Sequence, residues 1–226
     1  MSKSLRTKKL ITIAVNLLLA VFEVIGVVLM NELYLSYGKE PWTWLWYYTQ
    51  LSNIYSLFAA IAMVFFESKN LIQNKDNTPK IMKIIKFSVV CCLTETLLVT
   101  MFVLAPLGMM GGFVPLMFEG PNLYHHLLCP LIAFLSFIFL EGKVYITIKH
   151  TILSMIPTLI YGIVAVTLNL LRIWHGPYPF LYVYEQPIYM SLVYTVVVLG
   201  GAYLISLLVR MLANISSKTK KENQNG

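Results

Sequence analysis

Six long apolar runs, separated by short polar stretches, dominate the pattern of hydrophobic and polar positions along this chain. They cover about 10–31, 44–66, 87–107, 123–141, 151–172 and 188–213. A helix needs about 20 mostly apolar residues to cross a bilayer, and each run is close to this length or exceeds it. The pattern therefore predicts an all-α protein, a polytopic membrane bundle of six transmembrane helices.

The first run follows a cluster of basic residues, as the apolar core of a secretory signal peptide does. It is too long for a cleaved signal, and it ends at Asn31-Glu32 without a small-residue cleavage site. We therefore interpret it as an uncleaved first transmembrane helix.

Basic residues predict the direction of the helices, because short cytoplasmic connections carry an excess of Lys and Arg. Two of the 17 basic residues, Lys39 and Arg172, fall on one side of the predicted bundle. The bias predicts that both termini are cytoplasmic, with residues 1–215 as one transmembrane domain and 216–226 as a disordered basic tail. The basic residues on the cytoplasmic side are Lys3, Arg6, Lys8, Lys9, Lys69, Lys75, Lys80, Lys83, Lys86, Lys143, Lys149, Arg210, Lys218, Lys220 and Lys221.

Composition and charge agree with a membrane protein. Of the 226 residues, 58% are hydrophobic and 12% are charged, which leaves too little polar surface to cover a soluble core. The net charge of +7 is spread between the apolar runs, so we expect contact with anionic membrane lipids and no nucleic-acid partner. The three cysteines lie inside apolar runs without metal-ligand spacing, and we expect neither a metal nor a cofactor.

Polar side chains recur inside the apolar runs, where ionisable groups are unfavourable and usually functional. With the predicted orientation, most of them fall in the outer half of the bilayer, with Glu95 near the middle. The sequence therefore predicts a polar pocket that opens towards the outer face. Its candidate residues are Glu23, Thr49, Gln50, Asn53, Glu95, His125, His126, Asn169 and Arg172.

Structural explanations compete with this interpretation. Ser, Thr and Asn stripes such as Thr12-Asn16 or Ser52-Ser56 commonly join transmembrane helices by hydrogen bonds. Glu23 or Glu95 could form a buried ion pair with Arg172. The run at 200–202 (GGA) is expected to mark close helix packing.

The two outer connections, 108–122 and 173–187, are rich in Gly, Pro, Met and aromatic residues. Aromatic residues at this depth often only anchor helices in the headgroup region. The alternative is that both connections fold back over the bundle as an apolar lid.

A hydroxyl and an imidazole at the same depth could carry out acyl transfer, with the hydroxyl as nucleophile and the imidazole as base. Thr49 and His125 or His126 are at compatible depth. Asn53, Gln50 or Arg172 could then stabilise an oxyanion.

The segments 46–53 (WYYTQLSN), 122–130 (NLYHHLLCP) and 174–181 (WHGPYPFL) together resemble motifs of the androgen-induced membrane proteins and their bacterial six-helix relatives. The segment 46–53 (WYYTQLSN) begins a helix with aromatic residues and a threonine. The segment 122–130 (NLYHHLLCP) has a histidine four or five residues before Pro130, and 174–181 (WHGPYPFL) is similar to the family's Tyr-Pro-Phe loop.

Eukaryotic members of this family are intramembrane threonine hydrolases that act on fatty acid esters of hydroxy fatty acids. The resemblance implies Thr49 as nucleophile and His126 or His125 as base. The four-residue spacing of the bacterial relatives favours His126, although the doubled histidine departs from the eukaryotic pattern.

We therefore predict a multi-pass protein of the bacterial plasma membrane that hydrolyses an ester of a lipid-like substrate. The alternatives are a small proton-coupled transporter, with Glu23, Glu95 and the histidines as a relay, and a non-catalytic membrane partner protein. The cytoplasmic halves of the helices are expected to be dry, which argues against transport.

Overall fold

The computed structural model describes residues 1–141 and 145–225, with side chains described up to residue 215. Within this part the chain is helical and has no strand. The predicted all-α bundle is confirmed, since six helices are long and apolar enough to cross a membrane. They are α1 (Lys3–Ser36), α2 (Tyr48–Ile72), α3 (Lys80–Leu104), α4 (Gly120–Glu141), α5 (Ile148–Leu170) and α6 (Ile188–Ile215).

Most of the helices are longer than the apolar runs that predicted them. The N-terminus of α1 shows how: the Ser2 side chain accepts a hydrogen bond from the Leu5 amide, which caps a first turn of polar residues. The backbone of α6 stays helical to Asn225. The side chains of residues 216–226 lie outside the described residues, so the predicted disorder of this tail stays a prediction. Lys143 also lies outside the described residues.

α3 is the central helix, and its side chains are the most buried of the six spans. It packs against α2, α4 and α6, and Phe87 and Leu93 are fully enclosed in the main apolar core. α5 and α6 lie at the periphery and leave most of their apolar side chains exposed. These faces are suited to contact with lipid, because exposed apolar surface of this extent is unfavourable in water.

Both termini lie at one end of the bundle, which we call the inner end. Lys9 of α1 binds Asp76, which precedes α3. Asn214 of α6 exchanges two hydrogen bonds with the backbone of Ile146, which precedes α5. Whether this end faces the cytoplasm stays a prediction.

In the part of the chain that the structure describes, three stretches of π-helix interrupt the spans, at Thr100–Leu104 in α3 and at Leu123–Leu128 and Phe137–Glu141 in α4. Such stretches turn side chains away from their α-helical directions, and they are frequent at functional sites. One of them contains His125 and His126, and both histidines are buried.

At the outer end, parts of both outer connections fold back onto the bundle. The short helix Phe113–Phe118 buries Leu116 and Met117. The segment 173–187, which we call the lid segment, buries Tyr178 and Leu181 around a 3₁₀ turn. Of the two alternatives for these connections, the structure therefore has the one in which they cover the bundle.

Two expectations about packing were wrong. Gly200 and Gly201 are not at a close helix contact, because a Cβ atom added to either would meet no described atom within 4 Å. Lys86 is not in a cytoplasmic connection, because α3 begins six residues earlier and the Lys86 side chain is completely buried. The uninterrupted apolar run begins only after Lys86, so the sequence pattern placed the start of α3 too late.

Candidate functional site

A cavity of about 420 Å³ lies between α2, α3, α5, α6 and the lid segment. We call it the lateral cavity. Most of its wall is apolar or aromatic, and hydroxyl groups are placed at intervals along it. The lining includes Tyr48, Thr49, Glu95, Thr158, Tyr161, Gly162, Ile163, Tyr178, Phe180 and Tyr194.

The cavity extends to the bundle surface between α5 and α6. Leu159 and Ile163 on α5 and Thr195 on α6 border it and are themselves exposed. All three lie within helices that are long and apolar enough to cross a membrane, so in a bilayer this side of the cavity would face the hydrocarbon phase. Phe180 and Leu181 of the lid segment line its wall as well.

The polar end of the cavity is built around Glu95 of α3. The Tyr48 hydroxyl lies 2.9 Å and the Thr158 hydroxyl 2.7 Å from the same carboxylate oxygen, Oε2. The two hydroxyls are 2.7 Å apart. Three helices thus meet at one buried carboxyl group, and this is the expected place of Glu95 near the middle of a span.

Thr49 also borders the cavity, as the predicted pocket requires. Its neighbour is Tyr178 of the lid segment, whose phenol contacts the side chain and the backbone of Thr49. Burial raises the pKa of Tyr178 to about 12, and the contact with Thr49 opposes that rise. The phenol is therefore protonated at neutral pH, and its oxygen is placed to accept hydrogen bonds from Thr49.

Neither histidine lines this cavity. The His125 ring lies against the backbone of Gly26 in α1, with Nε2 at 3.4 Å from the Glu23 carbonyl oxygen and 3.8 Å from the Glu23 carboxylate. Both Glu23 oxygens lack a hydrogen-bond partner among the described residues, and both residues are fully buried. Glu23 and His125 therefore lie in a separate enclosed site, with Ser56 of α2 and Cys129 of α4 beside the Glu23 carboxyl group.

His126 is held by the outer connection. Its Nδ1 lies 2.6 Å from the carbonyl oxygen of Leu116, in the short helix that covers α4. The expected contact between the Thr49 hydroxyl and a histidine ring is not among the hydrogen bonds of the described residues. The link between Thr49 and α4 runs through the backbone instead.

Asn53 of α2 forms this link to α4, because Pro130 leaves a carbonyl oxygen of α4 without its usual backbone donor. In a π-helix the amide of residue 130 would bond to the carbonyl of residue 125, but proline has no N–H. Asn53 Nδ2 donates instead to the His125 carbonyl oxygen at 3.1 Å, and also to the Thr49 carbonyl oxygen at 2.7 Å. Asn53 therefore joins α2 to α4 and does not point its amide into the cavity.

The remaining candidates are also dispersed. Gln50 is buried but does not line the cavity. Asn169 donates to the carbonyl oxygens of Trp174 and His175 and accepts from the Val183 amide, so it shapes the lid segment. Arg172 is exposed and stacks on Tyr184, so the expected ion pair with Glu23 or Glu95 was wrong.

The inner half of the bundle is polar, contrary to expectation. Lys86 donates to Asn16 at 2.9 Å and lies 3.6 Å from the Glu141 carboxylate, which Ser136 and Asn16 also contact. Closer to the inner end, Lys9 pairs with both Glu67 and Asp76 at 2.7 Å. The sequence pattern assigned most of these charges to connections or helix ends.

Two important cavity residues, Thr158 and Tyr178, were not among the predicted site residues. Thr158 lies about three helical turns before Asn169, which places it on the same face of α5. Tyr178 lies in the recognised Tyr-Pro-Phe segment. Helical spacing could therefore have indicated Thr158, and the resembling motif could have indicated Tyr178. Nothing in the sequence predicts that either residue lies in the same cavity as Glu95.

Searches of protein-family models, curated proteins and solved structures gave no match to this chain. The resemblance to the androgen-induced membrane proteins therefore stays a prediction. The six helices support a membrane-embedded protein.

Proposed function

We propose that this multi-pass membrane protein binds a lipid-like molecule that enters the lateral cavity directly from the bilayer. One observation carries the proposal: the cavity reaches the surface between α5 and α6, at residues that lie within the spans. A ligand that uses this route must be soluble in the hydrocarbon phase.

The size and lining of the cavity fit such a ligand. Small-molecule sites typically enclose about 300–1,000 Å³ and combine apolar walls with a few polar groups. Here the volume is about 420 Å³, and Thr49, Thr158 and the carboxyl group of Glu95 lie at one end of it. An acyl or alkyl chain would lie against α5 and α6, with its polar end towards α3.

A photoreactive probe tests this proposal. We expect a 12-carbon alcohol with a diazirine near its chain end to crosslink to α5 or α6 in full-length protein reconstituted in phosphatidylcholine nanodiscs. Gly162→Phe should abolish this labelling, because Gly162 borders the cavity and has open space beside its Cα.

Gly200→Phe is the matched control, since Gly200 lies on an exposed face of α6 and also has open space beside it. It should leave labelling unchanged. Equal labelling of the two variants, or crosslinks spread evenly over all six helices, would contradict specific binding in the cavity.

Ester hydrolysis at Thr49 is the second candidate function. The position of Thr49 at the polar end of the cavity favours it, with the Tyr178 phenol beside the hydroxyl. In the first step the Thr49 Oγ would attack the ester carbonyl carbon while its proton passes to a base and the alcohol leaves. Water would then cleave the acyl-threonine.

The base of this reaction would be His126 or His125, as the family resemblance implies. Both rings contact backbone carbonyl oxygens outside the cavity lining in this structure. Hydrolysis therefore requires the π-helical turn of α4 to bring one ring to Thr49.

Labelling with a fluorophosphonate hydrolase probe distinguishes hydrolysis from binding alone. We expect Thr49→Ala to abolish labelling and Thr49→Ser to retain it, since serine keeps the nucleophilic hydroxyl. Both variants should still bind the 12-carbon alcohol. Persistent labelling of Thr49→Ala would exclude Thr49 as the nucleophile.

Proton-coupled transport is less well supported. Transport would need a passage from the lateral cavity to the inner end. The small pocket beside Lys9 and Glu67 shares no lining residue with the lateral cavity. A non-catalytic partner protein would need no cavity of this kind.

A further inference from the structure

We infer that the ligand of the lateral cavity is a cationic amphiphile, with an amine or quaternary ammonium group at Glu95 and an aliphatic chain between α5 and α6. This inference rests on the proposed lipid-like ligand and assigns its headgroup. It follows from the charge of the lining, the geometry of Glu95 and the arrangement of aromatic rings.

The part of the cavity lining that the structure describes carries negative charge without a positive side chain to balance it. Glu95 is the one carboxylate among the described residues that line the cavity, and no Lys, Arg or His stands there to balance it. Charges interact strongly where water is excluded. A cationic headgroup would therefore be attracted, whereas a fatty acid carboxylate or a phosphate would be repelled.

Glu95 is also oriented to receive a ligand. The hydroxyls of Tyr48 and Thr158 both contact Oε2, which fixes the carboxyl group from one side. No hydrogen bond from a described residue reaches the other oxygen, Oε1. Oε1 is not completely enclosed by protein atoms, so a ligand N–H or N⁺ group can reach it and complete the site.

Aromatic rings continue from Glu95 along the cavity. Tyr48 contacts Tyr161 with ring centroids 5.3 Å apart, and Tyr161 lies 6.4 Å from Tyr178. Tyr178 stacks on Phe180 at 5.1 Å, and Phe180 lies 6.4 Å from Tyr194. All five rings line the cavity. Aromatic faces together with a carboxylate are the usual surroundings of bound ammonium groups.

The end of the cavity opposite Glu95 determines which chemical group the rest of the ligand carries. Leu159, Ile163 and Val198 border it on the side between α5 and α6. These three side chains suit a hydrocarbon chain, and the hydroxyl of the nearby Thr195 donates to the Ser191 carbonyl oxygen of its own helix at 2.8 Å. A single-chain amphiphile can therefore place its cation at Glu95 and its tail towards the lipid.

Four probes that share one 12-carbon photoreactive chain test the headgroup: trimethylammonium, primary amine, alcohol and carboxylate. Affinities are measured by crosslinking to full-length protein in phosphatidylcholine nanodiscs, and partitioning into empty nanodiscs is subtracted. We expect both cations to bind about tenfold more tightly than the alcohol, and the carboxylate to bind most weakly.

Glu95→Gln should reduce the preference for cations over the alcohol to about twofold or less, because glutamine removes the negative charge and keeps a hydrogen-bonding group of similar shape. Tyr194→Leu is the second variant, because it removes one ring without touching the hydrogen bonds of Glu95. It should weaken trimethylammonium binding more than alcohol binding, and it keeps the test informative if Glu95→Gln does not fold.

The outcomes separate the two proposals. Equal affinity for the cations and the alcohol, or a cation preference unchanged in Glu95→Gln, would overturn the headgroup assignment and leave the lipid-binding proposal standing. Failure of all four probes to crosslink in the cavity would overturn the lipid-binding proposal itself.

Discussion

Gly26 determines where the His125 ring lies, because it is the residue of α1 against which the ring packs. A Cβ atom on Gly26 would stand 2.2 Å from His125 Nε2, far inside the contact distance of two heavy atoms. The absence of a side chain therefore lets the imidazole approach the α1 backbone and the Glu23 carboxylate.

Gly26→Ala should consequently displace His125 and destabilise the bundle by about 1–3 kcal/mol, as expected for overpacking of a well-packed core. Thermal unfolding of the purified protein, followed by tryptophan fluorescence, measures this loss. Gly200→Ala should have little effect, since the added methyl group meets open space. An unaltered melting temperature in Gly26→Ala would show that the ring is free to move.

Sequence patterns predicted which residues are polar and buried better than which of them meet. Glu23, Thr49, Asn53, Glu95, His125 and Asn169 are all enclosed, as the helical spacing indicated. Spacing along one helix, however, does not determine which neighbouring helix a face contacts. Thr49 and His126 or His125 were therefore expected to form one site, but neither histidine lines the cavity that Thr49 borders.

At the scale of helices, Lys86 joins three spans in the inner half of the bundle. Its ammonium group donates to Asn16 of α1 and lies beside Glu141 of α4. Both side chains are almost completely buried, so the pair is poorly screened by solvent. Removal of one partner leaves the other charge enclosed and unpaired.

Lys86→Met should therefore destabilise the protein by about 3–5 kcal/mol, and the double variant Lys86→Met with Glu141→Leu should recover most of this loss. Chemical unfolding in mixed micelles measures both. Lys75→Met, at an exposed position of the inner connection, is the control and should be neutral. Additive losses in the double variant would mean that the two charges are not coupled.

The helices themselves were predictable because lipid imposes a length and a composition on every span. Their ends were not, because polar residues at a helix end can belong either to the helix or to a connection. Lys80, Lys83 and Lys86 illustrate this, since all three belong to α3. The contacts that bury Lys86 come from α1 and α4, which are distant in the sequence.

At the scale of the whole molecule, the distribution of basic residues predicts that the inner end is cytoplasmic. The natural cysteines suit a direct test, because all three are buried and should not react with reagents in water. In intact cells an impermeant maleimide should label Glu40→Cys and leave Lys75→Cys unlabelled. Both positions are exposed, at opposite ends of the bundle.

Permeabilised cells provide the control for this experiment, since both cysteines should then react. The unsubstituted protein should stay unlabelled in either condition. Labelling of Lys75→Cys but not of Glu40→Cys in intact cells would reverse the predicted orientation. The outer lid segment and the lateral cavity would then lie towards the cytoplasm.

The gap between α5 and α6 changes the meaning of affinity for this protein. A ligand that enters through the gap is drawn from the two-dimensional pool of the membrane, so its mole fraction among the lipids determines occupancy. A sparingly soluble amphiphile could then fill the cavity at a negligible aqueous concentration. Changes in acyl-chain packing around α5 and α6 would alter the rates of binding and release without any change in the residues that contact the ligand.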